Sequence, residues 1–202
     1  ELMELFCLGI TDAAGQANYS ETDVQELARA MSGWRIDTTN PANPTSYFTA
    51  TRWDGGTKTI LGNTGAYTAA QAVDVVLSHR NHAPYLLRKL WGEFIQSPPD
   101  DATLTDLVRT YNSRGRRIRP VLKKILQHRA LFESVGEPNM LKAPVVYVPG
   151  VMRAMGLPVV NATPRARLQA MGQEPYFPPD VSGWEYGPAW LDTTTAIARF
   201  RL

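Results

Sequence analysis

Cysteine is nearly absent. Cys7 alone occurs in 202 residues, which excludes an internal disulfide framework. It sits among Leu5, Phe6 and Leu8, where a buried apolar filler is expected and no base can be placed beside it to make a nucleophile. An excess of one charge is also missing: 21 Lys and Arg stand against 19 Asp and Glu, so the net charge of +2 predicts no class of partner. Any electrostatic argument has to be local. No apolar run reaches the length of a membrane span, and no basic-then-apolar leader is present. G-x-S-x-G turns, glycine-rich phosphate loops, internal repeats and low-complexity segments are absent too, which excludes the serine-elbow, phosphate-loop and solenoid classes and leaves no cofactor signature. The first residue is not Met, and the chain opens in mid-pattern with ELMELF. The expectation is one helical domain over residues 1–202, forming the C-terminal portion of a longer protein.

What is present is helical code. Hydrophobic residues make up 44% and charged residues 20%, enough for one sizeable core. Leu2, Leu5 and Phe6 have helical spacing and stop at Gly9, a C′ glycine. Ser20 with Asp23 three residues on reads as a capped start for a stripe of Val24, Leu27, Ala28 and Met31. From Thr68 the stripes succeed one another: Ala72, Val73 and Val76; then Leu87, Trp91 and Phe94, predicted to be the central core helix; then Leu104, Leu107 and Tyr111; then Val121, Leu122 and Ile125. Short links between them imply antiparallel neighbours. In KAPVVYVPGVMRAMG, Pro149 removes a backbone donor in mid-helix, so a kink or split is predicted there. Thr163-Pro164 opens a short helix that Gly172 ends, and Asp192 or Thr193 caps a last one. The exception lies between SYFTATRW and TKTILG, where aromatic and β-branched residues flank Asp54-Gly55-Gly56 and predict one hairpin at about residues 46–62. The fold class is therefore mainly α, an irregular helical bundle with one small β-hairpin.

Four groups of residues could carry chemistry. Residues 173–192, QEPYFPPDVSGWEYGPAWLD, place five aromatic rings among prolines that forbid regular structure, so an ordered strap with its rings in grooves is expected. Its Trp184, Tyr186 and Trp190, beside Asp180, Glu185 and Asp192, either cover the bundle or stack on sugar rings. A second group is basic: Arg114, Arg116, Arg117, Arg119, Lys123 and Lys124 occur with no acid between Asp106 and Glu133. On one helix face they would attract phosphate, sulfate, an anionic polymer or an acidic protein surface; the bland reading pairs them with nearby acids across a helix hairpin. Nucleic acid is not expected as the anion, because no aromatic residues interleave with the run and no groove-reading motif is present. His79 and His82 have an H-x-x-H spacing open to a metal, but at a helix boundary they read as polar end residues, and no metal is assigned. Glu1, Glu4 and Asp12, with Glu26, could supply paired carboxylates for a hydrolase, or they could form a solvated face.

Taken in order, ELMELFCLGI, RAMSGW, KTILG, SHRNHAPYLLRKLWGEFI, LFES, NMLKAPVVYVPGVMRAMG and GQEPYFPPDVSGW with AWLDTTT resemble a large bacterial family of uncharacterised proteins, domain of unknown function 1800. The resemblance covers nearly the whole chain and implies a mainly helical fold. It also implies export and a sulfatase-like partner protein, and it brings no catalytic residues. On the residues, a non-catalytic binding or scaffold module for an anionic or carbohydrate surface or a partner protein is expected. The alternative is a hydrolase-like enzyme whose acidic site an N-terminal half completes. Oligomeric state does not follow from these residues.

Overall fold

The computed structural model describes residues 1–133, 141–158 and 163–201. Ser134, Asn139 and Met140, which belong to two of the sequence landmarks, lie outside the described residues. The chain divides into two compact units, Glu1–Phe132 and Glu133–Leu202. Among the described residues there are nine α-helices, one π-helical turn and four short strands, a mainly α architecture.

The first unit opens with the π-helical turn Leu2–Cys7, where an α-helix was expected. Its carbonyl groups are met from outside: Tyr85 Oη donates to the oxygens of Glu4 and Leu5 at 3.0 and 3.1 Å, and Lys89 Nζ donates to Leu5 O at 3.1 Å. Gly9 ends the turn with φ +73°, and a Cβ there would sit 2.7 Å from the Tyr85 ring. Helix α1 (Glu21–Ala30) starts at the expected capping box of Ser20 and Asp23. Asp23 does more than cap: its Oδ1 accepts the amide of Leu61 at 2.6 Å and fastens α1 to a hairpin. Burial raises the Asp23 pKa, but the Ser20 hydroxyl, the Ser20 amide and the Leu61 amide outweigh it and hold the carboxyl below its ordinary value.

The strand signal at 46–62 splits between two hairpins. Strands β1 (Trp34–Asp37) and β2 (Thr45–Phe48) pair antiparallel, and β3 (Lys58–Ile60) pairs with β4 (Asn63–Gly65). The second turn is Leu61-Gly62, both at positive φ, the requirement of a two-residue type I′ connection. Asp54-Gly55-Gly56 does not turn one strand onto the other, because it is wrapped around a lysine. Lys58 is 1% exposed, and its ammonium donates to the carbonyl oxygens of Asp54 and Gly56 beneath the Trp53 ring. Arg29 then holds Asp54 from α1 at 2.8 Å and Glu26 at 2.7 Å.

Helices α2 (Ala69–Ser78), α3 (His82–Gly92), α4 (Asp101–Ser113) and α5 (Ile118–Leu126) follow as their stripes predict, and the short α6 (Arg129–Glu133) comes last. Thr68 and Gln71 form a second capping box, and Asp100 caps α4. Two apolar clusters result. Met3, Cys7, Leu27, Ile60, Ala72 and Val76 join the first turn, α1, β3 and α2; Leu87, Trp91, Leu107, Tyr111, Val121 and Ile125 join α3, α4 and α5. His82 stitches one cluster to the other. It is buried, with Nδ1 3.1 Å from Cys7 O and Nε2 3.0 Å from Tyr111 Oη.

The second unit contains α7 (Pro144–Ala154), α8 (Thr163–Ala170) and α9 (Thr193–Phe200) around a small core of Val148, Leu168 and Met171. The predicted split at Pro149 does not occur: α7 runs through it. The bond that Pro149 cannot make would go to Val145, an exposed residue. The helix start is held instead by Gln173, whose Oε1 accepts the Val145 amide at 2.8 Å. Gly172 and Asp192 end and start helices where expected.

Candidate functional site

The basic run is divided by a helix end. Helix α4 stops in a Schellman turn, with the Arg116 amide donating to Tyr111 O at 2.9 Å and the Gly115 amide to Asn112 O at 3.3 Å. The second of these turn residues, Arg116, is held at φ +60°, a region that side-chain-bearing residues seldom occupy. Arg114 is thus the cap of α4, Arg117 the N-cap of α5, and only Arg119, Lys123 and Lys124 lie on α5 itself. Arg119 and Lys123 are four apart and share a helix face. Lys124 turns to α4 and pairs with Asp106, while Arg114, Arg117, Arg119 and Lys123 have no acidic partner among the described residues.

The turn carries Arg116 to the end of α2, where its Nη2 donates to Ser78 Oγ at 2.8 Å. Ser78, His79, Arg80, Asn112 and Arg116 line an open cavity of about 330 Å³ together with Leu77 and Ala83. No carboxylate is in its wall. The C-termini of α2 and α4 each bring roughly half a negative charge there, and the α3 N-terminus returns roughly half a positive one, so two guanidinium groups leave the cavity cationic. Arg80 has one acid near it, Asp12 Oδ2 at 3.8 Å, and is itself exposed.

The two histidines part company. His82 points into the core, and burial, aided by Arg116 and opposed by the Cys7 carbonyl, lowers its pKa. His79 caps α2 beside the cavity, and its Nδ1 accepts the Asn81 amide at 3.3 Å, which puts the proton of the neutral ring on Nε2. Burial and then the Arg80 charge lower the His79 pKa, against a smaller pull from Asp23. Among the described residues no three His, Cys, Asp or Glu side chains gather as a metal set.

The acidic candidates have partners or face water. Asp12 Oδ1 accepts the amides of Ala14 and Gln16, each at 2.9 Å, and Glu26 is held by Arg29 and the Thr59 amide. Glu1 and Glu4 are exposed on the π-helical turn.

In the second unit the strap does not put all its rings in grooves. Trp190 is 5% exposed and Trp184 half-buried, but Tyr176 is 92%, Phe177 63% and Tyr186 76% exposed. Nor are the polar tips all satisfied, since the buried Trp184 Nε1 has no partner among the described residues. Of the three stacking candidates, Tyr186 alone presents most of its ring to solvent.

Sequence reasoning pointed to Arg116 but missed the partners that give it a cavity. Ser78 lies 38 positions away, and nothing local marks the pairing. The Gly115-Arg116 step at the end of a helical stripe was the one available signal that the run changes direction.

These features define a mainly helical protein with small hairpins and a cationic cavity at a junction of three helices. The chain belongs to the family described as protein of unknown function (DUF1800), whose model matches residues 1–202. Comparison with curated proteins and with solved structures finds no match. No helix among the described residues is long and apolar enough to cross a membrane.

Proposed function

We propose that this chain is a binding module for an anionic carbohydrate surface, with the cavity at Arg116 as the seat of the anionic group. One observation carries the reading: two guanidinium groups and an imidazole line a cavity without a carboxylate, and among the described residues Arg116 has only a hydroxyl as its side-chain partner. Arg116 is partly buried and meets a hydroxyl where a guanidinium often meets an acid, and an oxyanion would supply the missing charge. Arg114, Arg117, Arg119 and Lys123 would extend the attraction beyond the cavity, as a polymer of repeated charge requires. Tyr186 would add a stacking surface of its own within the second unit.

The test is retention on heparin as a function of salt. Wild type is expected to elute at higher salt than Arg116→Glu/Lys123→Glu, because each lost contact lowers the salt dependence. Equal retention of the two proteins refutes the reading.

A further inference from the structure

The cationic cavity is one of two that share a wall. A groove of about 390 Å³ runs along α2 beside the β3–β4 hairpin, and Ser78 and His79 line both spaces. A chain of hydrogen bonds passes from one to the other: Arg116 Nη2 donates to Ser78 Oγ, which donates to Asp74 O at 2.7 Å. Ser78 is thereby fixed as a partition with its hydroxyl proton engaged.

The groove differs in chemistry from the cavity. Its polar groups are Asn63, Gln71 and Asp74, against a short apolar wall of Leu61 and Val75. Each has unused capacity of a defined kind. Gln71 Oε1 is taken by the Thr68 amide and hydroxyl, which leaves the Nε2 donors. The Asn63 amide nitrogen donates to Leu61 O at 3.0 Å, which leaves Oδ1 as an acceptor. Among the described residues no side-chain bond or ion pair engages the Asp74 carboxylate, and His79 retains its Nε2 donor. Donors and acceptors interleaved over an apolar strip suit a ring bearing several hydroxyl groups, which both gives and accepts hydrogen bonds. They do not suit a second anion, because Asp74 would repel it.

We propose that cavity and groove form one site for a sugar carrying a tetrahedral oxyanion ester, phosphate or sulfate, with the ester against Arg116 and Arg80 and the ring against Gln71, Asp74 and Asn63. The inference rests on the anion-binding reading above and adds the ring half and its polarity. Asp74 at one end and the guanidinium groups at the other fix which way the ligand lies.

Binding of glucose 6-phosphate, glucose 6-sulfate, glucose, inorganic phosphate and inorganic sulfate to the full chain is measured by calorimetry at one salt concentration. At least one ester is expected to bind about tenfold more tightly than its inorganic anion and than glucose, the gain of one or two added hydrogen bonds. The ester so preferred identifies the group. Asp74→Ala, at an exposed helical position, is expected to weaken that ester about fivefold or more while inorganic anion binding holds or tightens. Arg116→Gln is expected to weaken both. If the inorganic anions bind through Arg116 and the esters gain nothing, or if Asp74→Ala leaves ester affinity unchanged, the ring half is overturned and the anion site stands. If no charged probe binds, both readings fall together.

Discussion

Removing the imidazole of His82 tests whether the first unit is pinned through its middle. The ring is 3% exposed and lies 3.1 Å from a carbonyl oxygen on one side and 3.0 Å from a phenol on the other. A carbonyl only accepts, so Nδ1 carries the proton and Nε2 accepts from the Tyr111 hydroxyl. His82→Ala loses two bonds at about 1 kcal/mol each and leaves a buried polar group unsatisfied at about 1–3 kcal/mol more, a total near 3–5 kcal/mol. Tyr111→Phe removes one hydroxyl and is expected to cost about 1–2 kcal/mol. The pH dependence follows from the same geometry. Burial holds the folded-state pKa below the ordinary 6.5, so the unfolded chain binds a proton that the folded chain refuses. The stabilisation is complete above that ordinary value and is lost as pH falls toward the folded one. The slope is at most about 1.4 kcal/mol per pH unit for each such histidine, and His79 contributes in the same direction. Urea unfolding followed by circular dichroism, from about pH 7.5 to about pH 5.5, should show stability falling in wild type and falling less steeply in His82→Ala. A loss under about 1 kcal/mol at the upper pH, or an unchanged slope, would refute the buried network.

Three further outcomes follow from the geometry. Gly9→Ala combines a left-handed φ with a contact 2.7 Å from Tyr85, whereas Gly62→Ala has the same backbone strain and open space; thermal unfolding should show the first losing clearly more than the roughly 1 kcal/mol of the second. Arg29 bonds hold the Asp54 carboxyl down to about 2, so Arg29→Ala should return its titration, read by carboxyl-carbon resonance, toward the ordinary Asp value; no movement would contradict the pairing. In the second unit Trp190→Ala should cost about 3–5 kcal/mol and Tyr186→Ala almost nothing, since one ring is buried and the other faces water; comparable losses would show the exposures to be wrong.

Sequence reading succeeded where the interactions are local. Ser20 and Asp23, and Asp192 and Thr195, each close within three residues, so Ser20 and Asp192 mark helix starts whatever the rest of the chain does. The stripes through Leu87 and Trp91 or Val121 and Ile125 likewise fix which helix face must leave water. The candidate site was legible only as a charge anomaly, because its cavity forms where Arg116 meets a serine on another helix.

The failures share a physical cause. Thr45–Phe48 found a partner upstream and Lys58–Ile60 one downstream because a buried ammonium claimed the loop between them, and nothing in a pattern of β-branched residues reports a lysine turned inward. By itself the amino-acid order settled the helical class, the caps and the apolar faces, all of which depend on neighbours within about one turn. Tertiary structure alone decided the two hairpins, the exposed rings of the strap, the inward His82 and the cationic cavity. Those depend on burial and on pairing between residues tens of positions apart, where the cost of leaving a polar group or a ring unmatched is set by whatever the fold brings beside it.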